Sequence, residues 1–221
     1  MRFQIDSLLP ADQLAGWCRR LLAPEADWRP GQDSAGWHAR TVKHNRQLPR
    51  GSALHQSLLP LVHQALQGHP LLASAALPAR IHSLRFCRSG PGEGYGRHVD
   101  NAYMAEGRSD LSFTLFLSEP DAYSDGELVL EFPHGEETFR LPAGDLIVYP
   151  STLLHRVEPV SDGDRLVCVG WIQSRIRSAE QRELLFELDT ARRLLFSQQG
   201  KGEAFDLISR SYSNLLRIWG D

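Results

Sequence analysis

From residue 80 to residue 173 the chain breaks into short runs rich in β-branched and aromatic residues, each closed by a turn signal, and this rhythm constrains the fold most. The runs fall at 80–88, 111–118, 126–132, 137–142, 145–149, 154–160 and 165–173, with Asp125-Gly126, His134-Gly135 and Asp162-Gly163 as punctuation. No helical period of useful length separates them. Many short strands at such spacing predict an antiparallel sandwich or barrel.

The flanks read differently. Residues 10–22 place Leu14, Trp17, Leu21 and Leu22 on one helical face, and 58–68 do the same with Leu59, Leu61, Val62, Ala65 and Leu66. Between them, 37–43 is expected as a strand and 48–52 as a loop. After residue 177, Ser178 with Gln181 reads as a capping box opening a helix with Leu184, Leu185, Leu188 and Leu195 on its apolar stripe, stopped by Gly200 and Gly202. Phe205, Ile208, Tyr212, Leu215, Leu216 and Trp219 then recur at helical spacing, which suits core packing better than the face of a homodimer. The expected class is α+β, with residues 1–177 as one domain around a core at 78–177, and 178–221 as a C-terminal helical extension.

Charge and cysteine usage exclude several functions. A net charge of -3 with both signs scattered leaves no basic stripe for nucleic acid. Cys18, Cys87 and Cys168 form no CxxC pair and are odd in number, so neither a disulfide framework nor a cysteine zinc site is expected, and a reducing compartment is. The start Met1-Arg2-Phe3-Gln4-Ile5-Asp6 is too polar for a secretory segment, and no apolar run is long enough to span a bilayer. A cytoplasmic protein without membrane attachment is the expectation.

The chemistry concentrates in a few residues. His98-Val99-Asp100 sets two ligand types two apart, on one face of a strand, and His155 follows 57 residues later, after a Pro150-Ser151 turn. With nine histidines in the chain, an isolated HxD recurs by chance, so the distant histidine is what matters. Two histidines and one carboxylate form the facial triad of non-haem Fe(II) oxygenases, which leaves open positions on the metal. Arg165 opens the strand Arg165-Leu166-Val167-Cys168-Val169-Gly170-Trp171, apolar on both faces, so it is either a strand-end cation in solvent or a buried charge needing an anion. Five strand residues from His155 to the turn span about 16 Å, comparable with an arginine and a dicarboxylate laid end to end, and the guanidinium fork suits a carboxylate. Tyr95 is expected either to border this site or to be a buried strand aromatic. Lys43 and Asn45 are read first as surface residues. Gly90, Gly92, Gly94 and Gly96 lack the following helix of a phosphate loop and read as a close-packed entry to the HxD strand, and the polar 101–109 segment reads as a lid.

Longer stretches carry a resemblance. Tyr95-Gly96-Arg97-His98-Val99-Asp100, Asp110-Leu111-Ser112 with Thr114-Leu115-Phe116-Leu117-Ser118, Gly126-Glu127-Leu128, Leu141 to Leu146, Tyr149-Pro150-Ser151 with His155, Trp171 to Ser174, Val42-Lys43 with Asn45, and Asn214-Leu215-Leu216 together resemble the PKHD-type hydroxylases, a bacterial group related to prolyl 4-hydroxylases. The resemblance implies a double-stranded β-helix (jelly-roll) core with flanking N-terminal helices and a C-terminal helical hairpin. It also implies Fe(II), 2-oxoglutarate, O2, L-ascorbate to keep iron reduced, and hydroxylation of a peptide, amino acid or small molecule with release of succinate and CO2. By position, His98, Asp100 and His155 match the iron ligands and Arg165 the 2-oxoglutarate arginine. One departure stands out: relatives tend to carry Arg-Tyr on the strand before HxD, and this chain has Arg88-Ser89, which cannot reach as far, so Tyr95 or a water is expected to take that place at the co-substrate. Competing readings are a non-catalytic iron and 2-oxoglutarate sensor, or a cupin-like metal-dependent enzyme that gives Arg165 no task.

Overall fold

Period-two alternation along the long strands decides which way each face turns. The computed structural model describes residues 1–34, 36–37 and 39–221. In chain order the elements are β1 (Phe3–Ile5), α1 (Ala11–Leu22), β2 (Arg29–Pro30), β3 (Lys43–His44), β4 (Arg46–Gln47), α2 (Ala53–Gly68), α3 (Pro70–Ala76), β5 (Pro78–Ser89), β6 (Gly94–His98), β7 (Tyr103–Met104), β8 (Gly107–Arg108) and β9 (Leu111–Phe116). There follow β10 (Tyr123–Asp125), β11 (Leu128–Phe132), β12 (Gly135–Phe139), β13 (Leu146–Pro150), β14 (His155–Val157), β15 (Val160–Gly163), β16 (Arg165–Ser174), α4 (Ala179–Gln199) and α5 (Glu203–Trp219).

A seven-stranded sheet runs β1-β13-β9-β16-β5-β4-β2 and a five-stranded sheet β12-β11-β14-β6-β3, every pairing antiparallel. This is an antiparallel two-sheet sandwich, as the strand rhythm predicts, with the jelly-roll form that the resemblance implies and helices at both ends of the chain. On β9, Leu111, Phe113 and Leu115 belong to the cluster that includes α1 residues Leu14, Trp17 and Leu21 and α2 residues Leu58, Val62 and Leu66. The alternate residues Ser112 and Thr114 line a cavity between the sheets, and Phe116 joins the second cluster with Leu128, Leu130, Ile147, Tyr149 and Val167. β16 divides in the same way, Leu166, Cys168 and Ile172 toward the helices and Arg165, Val167, Val169 and Trp171 toward the cavity.

Some elements depart from expectation for local reasons. α2 begins at Ala53 rather than residue 58, because the Ser52 side chain caps it by accepting from the His55 N–H at 3.2 Å. Residues 39–42 form a 3-10 turn, leaving only Lys43–His44 as strand, and His38 lies outside the described residues. That turn lets Val42 meet the backbone of Gly96, where an added Cβ would stand 2.8 Å from Val42 Cβ. The 101–109 segment carries the short β7–β8 hairpin and is fastened rather than loose. Glu106 pairs with Arg50 and accepts the Ser83 N–H at 2.8 Å, and His82 Nε2 lies 3.0 Å from the Arg108 carbonyl. Ser178 caps α4 by accepting from the Gln181 N–H at 3.3 Å. The α5 stripe faces inward, Tyr212 joining Leu77, Ile176 and Leu185 with Leu215, Leu216 and Trp219 packed alongside. No helix among the described residues is long and apolar enough to cross a membrane.

Phe113 is fully buried, and its ring occupies the space beside Gly170, where an added Cβ would be 2.6 Å from Phe113 Cζ. Phe113→Ala is expected to cost about 3–5 kcal/mol, measured by urea denaturation. A loss below about 1 kcal/mol would show that the sheet–helix face is not close-packed.

Candidate metal centre and co-substrate pocket

Two short strands of the smaller sheet bring the ligand types together. β6 pairs with β14 in a register that sets His98 directly opposite His155, and the two imidazole centroids are 4.2 Å apart. β6 ends at His98, so Asp100 stands just beyond the strand rather than on it, yet its carboxylate still turns back toward the histidines. Asp100 Oδ1 is 4.0 Å from His98 Nε2, and Oδ2 is 3.9 Å from His155 Nε2. One donor atom from each of the three residues lies within 4.8 Å of the others, a spacing that fits one ion.

The surroundings fix the protonation states. His98 Nδ1 is 2.8 Å from the Gly96 carbonyl and His155 Nδ1 is 3.0 Å from the Leu153 carbonyl. A carbonyl only accepts, so each Nδ1 carries the proton and each Nε2 presents a lone pair toward its partners. Burial, with His155 alongside, pushes the His98 pKa down and favours the neutral, ligating form. Ser112 on β9 donates to Asp100 Oδ2 at 2.6 Å, and Ser151 lies 2.7 Å from Ser112. Because the Ser112 proton is committed to the carboxylate, Ser151 donates to Ser112 and completes the chain.

The cavity beside this cluster encloses about 910 Å³ including its open mouth. Arg165 enters it from the first position of β16, 3% exposed, with Nε and Nη2 both lacking a hydrogen-bond partner among the described residues. Its guanidinium carbon sits 5.5 Å from the Phe116 ring centroid, and burial depresses its pKa. Gly126, at φ +73°, clears the way for its stem: an added Cβ would come within 3.3 Å of Arg165 Cδ and 2.8 Å of Val160. A buried guanidinium with unpaired donors requires an anion.

Tyr95 faces the site, its ring stacked on His98 with centroids 3.6 Å apart. Lys43, opposite Tyr95 on β3, is buried and not on the surface; Nζ lies 4.9 Å from the Tyr95 ring centroid. Ser89, at the position where the resemblance implies a tyrosine, is buried on β5 directly opposite Arg165, and its neighbour Arg88 is occupied by Asp164 at 2.6 and 2.7 Å. Sequence reasoning missed Tyr123, Tyr149, Ser112 and Ser151 as site residues. The Tyr123 hydroxyl is buried without a partner, and Tyr149 packs its ring against His155 at 5.4 Å. Their positions follow from strand parity, and only the face assignments of β9 and β13 would have revealed Ser112 and Tyr149.

Comparisons with known proteins agree with this geometry. Residues 83–173 match the 2OG-Fe(II) oxygenase superfamily, and residues 180–221 match the PKHD-type hydroxylase C-terminal domain. A PKHD-type hydroxylase of Synechococcus elongatus is 53% identical over 225 residues, covering 100% of both chains. The chain belongs to the PKHD-type hydroxylases. It is therefore an enzyme of the 2-oxoglutarate- and Fe(II)-dependent oxygenase class. A PKHD-type hydroxylase of Acaryochloris marina is 51% identical over 221 residues, again covering 100% of both chains. Among solved structures, a Pseudomonas putida prolyl-4-hydroxylase is similar at a TM-score of 0.56 and 25% identity, covering 79% of this chain and 92% of its own. HygX of Streptomyces hygroscopicus, solved with nickel, 2-oxoglutarate and hygromycin B, has a TM-score of 0.55 at 15% identity over 79% of this chain and 84% of its own, a likeness of fold alone.

Ser112→Ala removes a hydrogen bond that orients Asp100 without touching a ligand type. Loss of such a support typically costs 10–100-fold in metal affinity, so Fe(II) titration under anaerobic conditions should show a shift of about that size. Unchanged affinity would mean that the Asp100 carboxylate is not held by this contact for metal binding.

Proposed function

We propose that His98, Asp100 and His155 hold Fe(II), that Arg165 holds the distal carboxylate of 2-oxoglutarate, and that the enzyme hydroxylates a carbon of a small molecule, amino acid or peptide. Arg165 carries the reading: a buried guanidinium with orphaned donors lines the same cavity as a two-histidine, one-carboxylate cluster. The donor set suits the metal, since two neutral imidazoles and one carboxylate grip one side of an ion and leave positions open. A zinc or manganese cupin-like enzyme would leave Arg165 without a partner.

When bound, iron and 2-oxoglutarate supply the oxidising chemistry, in which substrate, O2 and 2-oxoglutarate give hydroxylated substrate, succinate and CO2. The chain's own residues orient and exclude. The Gly96 and Leu153 carbonyls hold both imidazoles with Nε2 inward, and Ser112 fixes the Asp100 carboxylate. Arg165, with the Tyr123 and Tyr149 hydroxyls nearby, offers donors to a carboxylate in a water-poor recess. Tyr95, stacked on His98, walls one side of the centre and supports its ring. Ser89 cannot extend a hydroxyl as far as the tyrosine of relatives, and Tyr123 stands as the replacement donor in this reading. Residues 1–177 form the oxygenase domain, with its core at 78–177, and 178–221 the helical extension. Ascorbate serves to keep the iron reduced. Three free thiols, two of them buried, suit a cytoplasmic setting.

Arg165→Gln is the decisive variant. Truncating one member of a buried charge pair costs roughly 2–5 kcal/mol, which is about 30- to several-thousand-fold in binding. The half-saturating 2-oxoglutarate concentration for uncoupled succinate formation should rise by at least about 30-fold, while anaerobic Fe(II) binding is retained. Arg165→Lys should fall between the two. Equal half-saturation in wild type and Arg165→Gln would reject the co-substrate role. Asp100→Ala, by contrast, should lose Fe(II) and turnover together, and full activity at limiting iron would reject the triad.

A further inference from the structure

The cavity holds more positive charge than the co-substrate uses. Besides Arg165, it is lined by Lys43 and Arg85, and neither forms an ion pair among the described residues. Among the described residues Lys43, 6% exposed, donates through Nζ to the Ser34 hydroxyl at 2.9 Å, in addition to lying over Tyr95. Arg85 projects from β5, its guanidinium carbon 5.8 Å from the Trp171 ring centroid; it donates to Gln47 Oε1 at 3.3 Å, and its Nε is buried without a partner. Glu106, an acid that acts on Arg85, is taken by Arg50 and the Ser83 N–H. The indole Nε1 of Trp171 is a further buried donor with no partner.

Lys43 is buried and Arg85 half-buried; burial above all lowers the pKa of both, and the Arg85 charge lowers that of Lys43 further, so the two cations are costly as they stand. A hydrogen-bonding anion placed at Lys43, Arg85 and Trp171 relieves both the repulsion and the orphaned donors. Lys43 reaches this position across Tyr95, which stacks on His98, so the anion would lie next to the metal centre and on the β3–β5 side of it. Arg165 is a separate donor group, four residues away along the β5–β16 pair: Arg165 faces Ser89, whereas Arg85 faces Val169.

We propose that Lys43, Arg85 and Trp171 form an oxyanion subsite for the substrate being oxidised, and that this substrate carries a carboxylate close to the carbon that is hydroxylated. This rests on the assignment of Arg165 to 2-oxoglutarate, because the two donor groups of the cavity then serve two different acids. A carboxylate is favoured over a phosphate because the planar fork of Arg85 is flanked by a single ammonium and a single indole N–H, three to four donors rather than a cage for three oxygens.

The test is calorimetric titration of the full chain, loaded with Fe(II) and 2-oxoglutarate under anaerobic conditions. The probes are acetate, the twenty free L-amino acids, the corresponding L-amino acid amides, and methyl phosphate. At least one carboxylate probe should bind, its amide should bind at least tenfold more weakly, and Arg85→Gln should weaken the acid at least tenfold while leaving the amide unmoved. Lys43→Met provides the second variant should Arg85→Gln fold poorly by circular dichroism, and the same loss is expected of it. Binding of no carboxylate probe, equal binding of acid and amide, or acid binding indifferent to both variants would overturn the subsite. Tighter binding of methyl phosphate than of any carboxylate would overturn the carboxylate assignment. Two-oxoglutarate affinity is measured separately in the same samples: its loss in Arg85→Gln together with its persistence in Arg165→Gln would reverse the two assignments and so strike the earlier reading, not only this one.

Discussion

The pairing of β6 with β14 is the constraint on which the site depends. Each strand is short, and the register places His98 against His155 so that two residues 57 positions apart in sequence become cross-strand neighbours. A shift of one residue would turn a histidine out of the cavity, because side chains alternate faces. The pairing is protected by close backbone approach: an added Cβ at Gly94 would stand 2.8 Å from the Val157 carbonyl, and one at Gly96 the same distance from Val42. The glycine run before HxD is thus what allows three backbones to converge behind the histidines.

From that pair outward, the second sheet completes the centre. Ser112 reaches Asp100 from β9, and Ser151 supports it from the turn after β13, so the carboxylate depends on the larger sheet while the imidazoles depend on the smaller one. The candidate metal cluster therefore draws on both sheets of the jelly-roll. Helices α1 and α2, packed on the far face of β9 and β16, hold these strands in place without entering the cavity. Chemistry and stability are divided between the two faces of the same strands.

Strand rhythm made the β core legible, and the joint spacing of His98, Asp100 and His155 made the cluster legible, because both are written in local pattern. What escaped the sequence was decided by packing across distance. Lys43 reads as a surface cation by type, yet β3 carries it inside against Tyr95. The 101–109 segment reads as a loose lid by composition, yet Glu106, His82 and Arg108 fasten it to β5. Residues 37–43 suggested a strand, where the approach to Gly96 favours a tight turn instead. α3 was missed because seven residues opened by proline give too little period to read. Tyr123, Tyr149 and Ser112 were invisible for a related reason: their roles depend on which face of a strand looks inward, and Ser151 depends on how the turn after β13 folds back to Ser112.

Charge in the cavity has a consequence for what the enzyme accepts. Lys43, Arg85 and Arg165 line it against the single carboxylate of Asp100, while the chain as a whole carries a net charge of -3. A divalent iron adds two positive charges and a 2-oxoglutarate dianion removes two, so in the proposed assembly the excess of cation over anion is left as it was. An excess of that kind in a recess with low-dielectric walls attracts anions and raises their local concentration. Arg165 is buried at 3% exposure and, in the proposed reading, takes the acid common to every turnover, whereas Arg85 is half-buried. In that reading two acids sit at separate cations of one cavity, the co-substrate at Arg165 and the substrate acid at Lys43 and Arg85. On the same reading a neutral ligand would leave the charges of Lys43 and Arg85 unanswered, which disfavours it against an acid.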